Sequence, residues 1–132
     1  MLFTMKKVCT ETGMNYEALK YYCNEGLVPN VKRDKNNRRV FDEKDIAWIK
    51  DLTCLKKCRM SIDEMKWYLA RCMEGKKNIP VRQKFLEEKR KMLQEEIKEL
   101  KTSIAYIDWK QNFYKDVTSG KIPYRSNLIK SK

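Results

Sequence analysis

The sequence predicts a mainly α protein: a small helical domain interrupted by one basic hairpin, then a long helix suited to a coiled coil. Three observations carry this expectation. Short amphipathic segments, each opened by a capping residue, follow one another from Thr4 to Cys72. The stretch Val31–Phe41 has β-formers at its ends and asparagines in the middle. From about Val81 to Val117 neither glycine nor proline interrupts a helical pattern. The expected division is 1–75 for the helical domain, 76–118 for a hinge and dimerisation helix, and 119–132 for a short tail.

The chain has 132 residues and a formal net charge of +12. Charged residues make up 36% and hydrophobic residues 42%, enough for one modest core. A basic surplus favours polyanionic partners, nucleic acid first among them, over simple solubility. The surplus is concentrated. Between Val31 and Val40 stand Lys32, Arg33, Lys35, Arg38 and Arg39, against the single carboxylate of Asp34. No apolar run approaches the length of a membrane span, and Met1-Leu-Phe-Thr4 does not read as a signal peptide, so a cytoplasmic setting is expected. Five cysteines, an odd number, argue against a disulfide framework. The absence of histidine removes the commonest general base and metal ligand. With no glycine-rich phosphate loop or catalytic carboxylate pair either, no catalytic residue, metal or cofactor is expected.

Taken in order, Thr4 caps a first helix that Gly13 ends, with Met5, Val8 and Cys9 on its apolar face. Asn15 caps a second. Its inward residues are Ala18, Leu19 and Tyr22, which leaves Tyr16, Glu17, Lys20 and Tyr21 facing outward. Taken alone, Tyr21 and Tyr22 read as packing residues first, with DNA contact as the alternative. Gly26 turns the chain towards the hairpin, whose tip is Lys35-Asn36-Asn37, because asparagine tolerates the left-handed backbone of tight turns. A helix followed by a basic hairpin is the layout of a winged helix-turn-helix. Asp42, with Asp45 three residues on, opens a third helix carrying Ile46, Ile49 and Leu52. Ser61-Ile-Asp-Glu64 is a capping box for a fourth, with Ile62, Met65, Leu69 and Cys72 inward. Gly75 to Pro80 is a breaker and expected hinge. Beyond it Leu86, Leu93, Ile97, Leu100, Ile104 and Ile107 form a coiled-coil seam, extended by Tyr114. A helix of that length cannot cover its seam on so small a body, and a second copy of itself is the economical partner.

The ordered chain resembles the MerR family of bacterial transcriptional regulators. Thr12-Gly-Met-Asn-Tyr-Glu-Ala-Leu-Lys-Tyr-Tyr22 is similar to the family's recognition-helix signature, and Glu25-Gly-Leu-Val-Pro29 to its next turn. Asn36-Asn-Arg-Arg-Val-Phe-Asp-Glu-Lys-Asp-Ile46 resembles the wing and the start of the third helix. Leu55-Lys-Lys-Cys-Arg-Met-Ser-Ile-Asp-Glu-Met65 resembles the following turn and capping box. The likeness is close over about residues 2 to 74. Lys20 stands where the family has arginine, Asn37 and Arg59 where it has glycine, and Arg38 where it has tyrosine. The turn at Arg59 is therefore expected to differ.

The resemblance implies a homodimer joined by an antiparallel coiled coil, with two recognition helices in successive major grooves of near-palindromic promoter DNA. It implies control by distorting the promoter spacer, so that RNA polymerase is reached through the DNA. Carried over by position, Asn15, Tyr16, Glu17 and Lys20 would meet bases or the groove. Tyr21, Arg33, Arg38 and Arg39 would meet phosphates, with Asn36 and Asn37 at the wing tip. The segments Arg39–Ile49 and Cys54–Ile62 look most like the aldehyde- and nitrosative-stress branch, called NmlR/AdhR-like, which has a cysteine in the third helix at the position of Cys54. Lys50, Lys56, Lys57 and Arg59 neighbour it in sequence and can favour a thiolate. The burial tendency of cysteine nonetheless favours core filler over a reactive thiol at Cys54. Metal sensing is disfavoured, because Cys54 and Cys58 supply only half of a closed site. Drug sensing is disfavoured by a tail too short for a pocket domain. The competing class is a coiled-coil adaptor whose basic hairpin meets RNA or an acidic protein.

Overall fold

The computed structural model describes residues 1–130. The elements run β1 (Phe3–Thr4), α1 (Met5–Thr12), α2 (Tyr16–Asn24), β2 (Lys32–Arg33), β3 (Arg39–Phe41), α3 (Glu43–Lys57), α4 (Ile62–Met73), a 3-10 turn (Lys76–Asn78) and α5 (Ile79–Thr118). They form two compact units, Met1–Arg90 and Lys91–Lys132. Among the described residues no helix is long and apolar enough to cross a membrane.

Each expected cap is present. The Thr4 side chain accepts from Lys7 N and the Asn15 side chain from Ala18 N, while Asp42/Asp45 and Ser61/Glu64 both close reciprocal capping boxes. Each such cap contributes about 1 kcal/mol of local stability. Gly13 ends α1 in the left-handed conformation, at φ 75°.

The first unit is organised around Val8, Leu19, Leu27, Phe41, Ile49, Leu52 and Met65, all fully buried. They are the inward positions of α1 to α4, joined by residues of the turn and of β3. The Trp48 indole donates to the Leu27 carbonyl at 2.7 Å, fixing α3 against the turn that follows α2.

The sheet has a strand that the sequence did not announce. Phe3–Thr4 pairs antiparallel with β3, Phe3 opposite Phe41 and Thr4 opposite Val40. With β2 on the other side, β3 is the central strand, in the order β1-β3-β2.

The segment from Glu74 to Asn78 is braced. Arg71 pairs with Glu74 at 3.0 Å. Asn78 Nδ2 donates to Glu74 at 2.7 Å, and Arg82 donates to both Asn78 Oδ1 and the Gly75 carbonyl. Helix α5 begins two residues before the expected Val81, with Pro80 in its first turn, where a missing N–H does no harm. The first unit runs past residue 75 to Arg90 because the opening turns of α5 pack on α4: the Phe85 ring lies 4.9 Å from that of Trp67.

Along the rest of α5 the expected seam is uncovered in the single chain. Ile97, Leu100, Ile104 and Ile107 are 52 to 57% exposed, Leu86 is exposed and Leu93 is half-buried. At 40 residues the helix is about 60 Å long.

Candidate nucleic-acid interface

Helix α2 divides cleanly into two faces. Leu19 and Tyr22 are buried and Ala18 is half-buried. Asn15, Tyr16, Glu17, Lys20 and Tyr21 are all exposed. The inward position of Tyr22 resolves the ambiguity of the tyrosine pair: Tyr22 packs, and Tyr21 presents its ring to solvent beside it, the centroids 6.2 Å apart.

The hairpin is shaped by Asp34. Its Oδ1 accepts from Asn36 N and from Arg38 N, both at 2.9 Å, so one carboxylate holds the whole tip. Asn37 adopts φ 61°, the left-handed conformation that asparagine tolerates better than most residues. The Arg33 guanidinium donates to the Asn37 carbonyl at 2.9 Å. Arg39, half-buried, donates to Asn24 Oδ1 and ties the hairpin to the end of α2.

The cations here divide by occupation. Lys32 is paired with Asp42 at 2.9 Å and Asp45 at 3.3 Å. The hydrogen bond to Asp42 leads in raising the Lys32 pKa. The Asp42 carboxyl is in turn held below its ordinary value, first by the Asp45 backbone N–H and then by Lys32. Lys32 thus belongs to the scaffold. Arg33 and Arg39 shape the hairpin, while Lys20, Lys35 and Arg38 extend into solvent from α2 and the hairpin.

A cleft of about 460 Å³ brings α2, the hairpin and α1 together. Its walls include Tyr16, Arg33, Asn37, Arg38 and Arg39, and also Lys6, which the sequence reading passed over. Of the anticipated residues, Asn15, Glu17, Lys20, Tyr21 and Asn36 do not line this cleft. Asn15 instead borders a second hollow, of about 560 Å³, between the start of α2 and the end of α3. Lys56, Lys57 and Arg59 line that hollow too. In sequence these three cations neighbour Cys54. The fold aims them at the amino-terminal end of α2 instead, because α3 ends there and the chain turns. Arg59 itself adopts the left-handed conformation, at φ 66°, which a glycine would enter without strain.

Cys54 is exposed on α3, so within its unit it is not buried filler. Burial pushes the thiol pKa values of Cys9 and Cys23 up, which makes both poor nucleophiles. Among the described residues no group of three or more His, Cys, Asp or Glu side chains is arranged to hold a metal ion.

A helix with a polar outward face, followed by a basic hairpin set against it, defines a helix-turn-helix regulator. The family model described as MerR HTH family regulatory protein matches residues 3–72. The chain therefore belongs to the MerR family of transcriptional regulators. It is 33% identical over 114 residues to an uncharacterized HTH-type transcriptional regulator of Haemophilus influenzae, spanning 86% of this chain and 84% of that one. It is 32% identical over 87 residues to the HTH-type transcriptional regulator AdhR of Bacillus subtilis, spanning 66% of this chain and 62% of AdhR. Among solved structures it is similar to HiNmlR, a MerR family regulator lacking the sensor domain, bound to promoter DNA. The TM-score is 0.78, with 32% identity and 90% of each chain covered.

Proposed function

We propose that this regulator binds double-stranded promoter DNA as a homodimer, in the cytoplasm, at a near-palindromic site. The exposed face of α2, with Asn15, Tyr16, Glu17 and Lys20, enters the major groove. Tyr21, Arg38 and the hairpin tip at Asn36 and Asn37 hold the backbone, and Arg33 and Arg39 position them. Two copies joined through the α5 seam present two such faces, which suits half-sites one helical turn apart, about 34–36 Å. Bending and untwisting the spacer then alters how RNA polymerase meets the promoter, so polymerase is influenced through the DNA.

One observation carries this reading: Tyr16 of α2 shares a single cleft with Arg33, Asn37, Arg38 and Arg39 of the hairpin. A cleft walled by four cations, Lys6 among them, against the single carboxylate of Asp34 suits a phosphate backbone. That the similar HiNmlR was crystallised on promoter DNA supports it further. The test is fluorescence anisotropy on a dyad-symmetric promoter duplex and on random duplex, between about 50 and 200 mM salt. Binding to the symmetric site falls steeply with salt and exceeds random binding by at least about a thousandfold. Salt-insensitive or sequence-blind binding removes the reading.

The effector acts through Cys54, whose exposed thiol lies on the helix preceding the cationic turn. Alkylation at neutral pH, located by mass spectrometry, modifies Cys54 fastest. Cys54→Ser then retains DNA binding and loses the response to aldehydes. Slow or uniform labelling of the five cysteines overturns the thiol role.

A further inference from the structure

We propose that the end of α5 and the segment folded back on it form a binding site for a planar aromatic carboxylate. The chain reverses at Gly120, at φ 81°, where Lys121 N and Ile122 N both donate to the Asp116 carbonyl. Ser126 Oγ then accepts from Leu128 N and Ile129 N, which shapes a local turn in the returning segment. Between helix and returning segment lies a cleft of about 430 Å³ walled by Trp109, Lys110, Phe113, Tyr114, Tyr124 and Arg125. That volume is in the range of small-molecule sites.

Three features select the ligand. First, the Trp109 and Phe113 rings stack nearly parallel, 16° apart with centroids at 6.2 Å, and the exposed Trp109 leaves aromatic surface for a planar ring. Second, the polar groups are cationic or neutral. Lys110 and Arg125 stand with Ser126 and Asn127, and among the described residues no carboxylate lines the cleft. Third, an external cation is disfavoured, because the chain's own Lys110 ammonium already sits 5.6 Å from the Trp109 centroid and 5.7 Å from those of Phe113 and Tyr114. An arriving carboxylate meets that ammonium favourably.

The seam does not account for these rings. Each residue turns a helix by about 100°, so Trp109 and Phe113 stand more than about 100° from the line of Ile104 and Ile107. Tyr114 alone follows the seam register. Trp109 is 60% exposed and Tyr124 59%. The binding claim stands apart from the promoter reading and goes beyond it.

The test is isothermal titration of the full chain with 2-naphthoate and with its neutral counterpart, 2-naphthamide. Naphthoate binds saturably, one per chain, and the amide binds at least about tenfold more weakly, the loss expected for a charge-assisted contact. Lys110→Gln and Arg125→Gln each weaken naphthoate about tenfold and Trp109→Leu weakens both ligands, while circular dichroism and sedimentation are unchanged. Arg38→Ala, on the other unit, leaves naphthoate binding intact. The proposal is overturned by equal affinity for acid and amide, or by no saturable binding up to about 1 mM. It is also overturned if naphthoate binds only after Ile104→Lys opens the seam, since a second copy then occupies the cleft.

Discussion

The Lys89 ammonium lies 2.6 Å from Glu64 Oε2, while the other oxygen of the same carboxylate accepts from Ser61 N at 3.0 Å. One side chain therefore caps α4 and anchors α5 to it. Lys89 is almost fully buried, with its ammonium 5.6 Å from the Phe85 ring, so Glu64 is the anion that makes its burial tolerable. The Glu64 carboxyl is held below its ordinary value, first by the Lys89 hydrogen bond and then by Ser61 N.

Glu64→Gln leaves Lys89 buried without its counter-charge and costs about 2 kcal/mol at neutral pH. The sign of the pH dependence follows from the lowered carboxyl pKa. The wild-type advantage is complete above the ordinary glutamate value of about 4.3 and disappears as pH falls through the lower folded value, where Glu64 takes up a proton. Urea titrations of both proteins between about pH 3 and pH 7 measure it. A gap that stays constant over that range contradicts the assignment.

Arg38 and Arg39 are adjacent, yet their replacement by alanine has different consequences. Arg38→Ala leaves stability within about 0.5 kcal/mol, as for an exposed site, and lowers the slope of log affinity against log salt by about one unit. Arg39→Ala removes the bond to Asn24, so it costs about 1 kcal/mol of stability as well as DNA affinity. Thermal melts paired with anisotropy separate the two. Equal melting temperatures for the two variants would show that Arg39 does not position the hairpin.

Arg59→Gly relieves a left-handed residue between α3 and α4. The greater freedom of glycine in the unfolded chain offsets part of the gain, and a net stabilisation of about 0.5–1 kcal/mol is expected. Removing one of three cations around the hollow beside Asn15 lowers DNA affinity at the same time. A more stable protein that binds DNA less tightly is the expected signature, read by denaturant titration and anisotropy. Unchanged stability would mean that the turn bears no strain.

Ile104→Lys places a charge in the middle of the uncovered seam. In the proposed dimer it shifts sedimentation towards the monomer at micromolar concentration. The melting of the first compact unit is left in place, because Ile104 lies outside it. A variant that still sediments as the parent does removes these residues from the interface.

What could be read in advance was what is local. Thr4, Asn15, Asp42 and Ser61 announce helix starts because a cap is satisfied within three residues of itself. The outward face of α2 follows from helical period alone. Strand β1 was invisible because two residues have no period, and Thr4 already read as a cap. The Lys89–Glu64 pair was invisible for a different reason: pattern reading assigns lysine to solvent, and only packing against α4 makes position 89 an interior one. Leu86 was read as the first seam residue, while its neighbour Phe85 makes the contact with Trp67. The cations Lys56, Lys57 and Arg59 are legible as a cluster. That they face Asn15, some forty residues earlier, depends on the tertiary fold.

The position of β3 between β1 and β2 has a mechanical consequence. The hairpin is not a flap hinged on two free strands. It is held along one edge, by Thr4 opposite Val40, while Lys32, opposite the same Val40, belongs to the hairpin's own outer strand. Load applied at Arg38 or Asn37 is resisted on the β1 side. It passes through Val40 into Thr4, which is also the cap of α1, so a backbone that pulls on the tip pulls on the first helix as well.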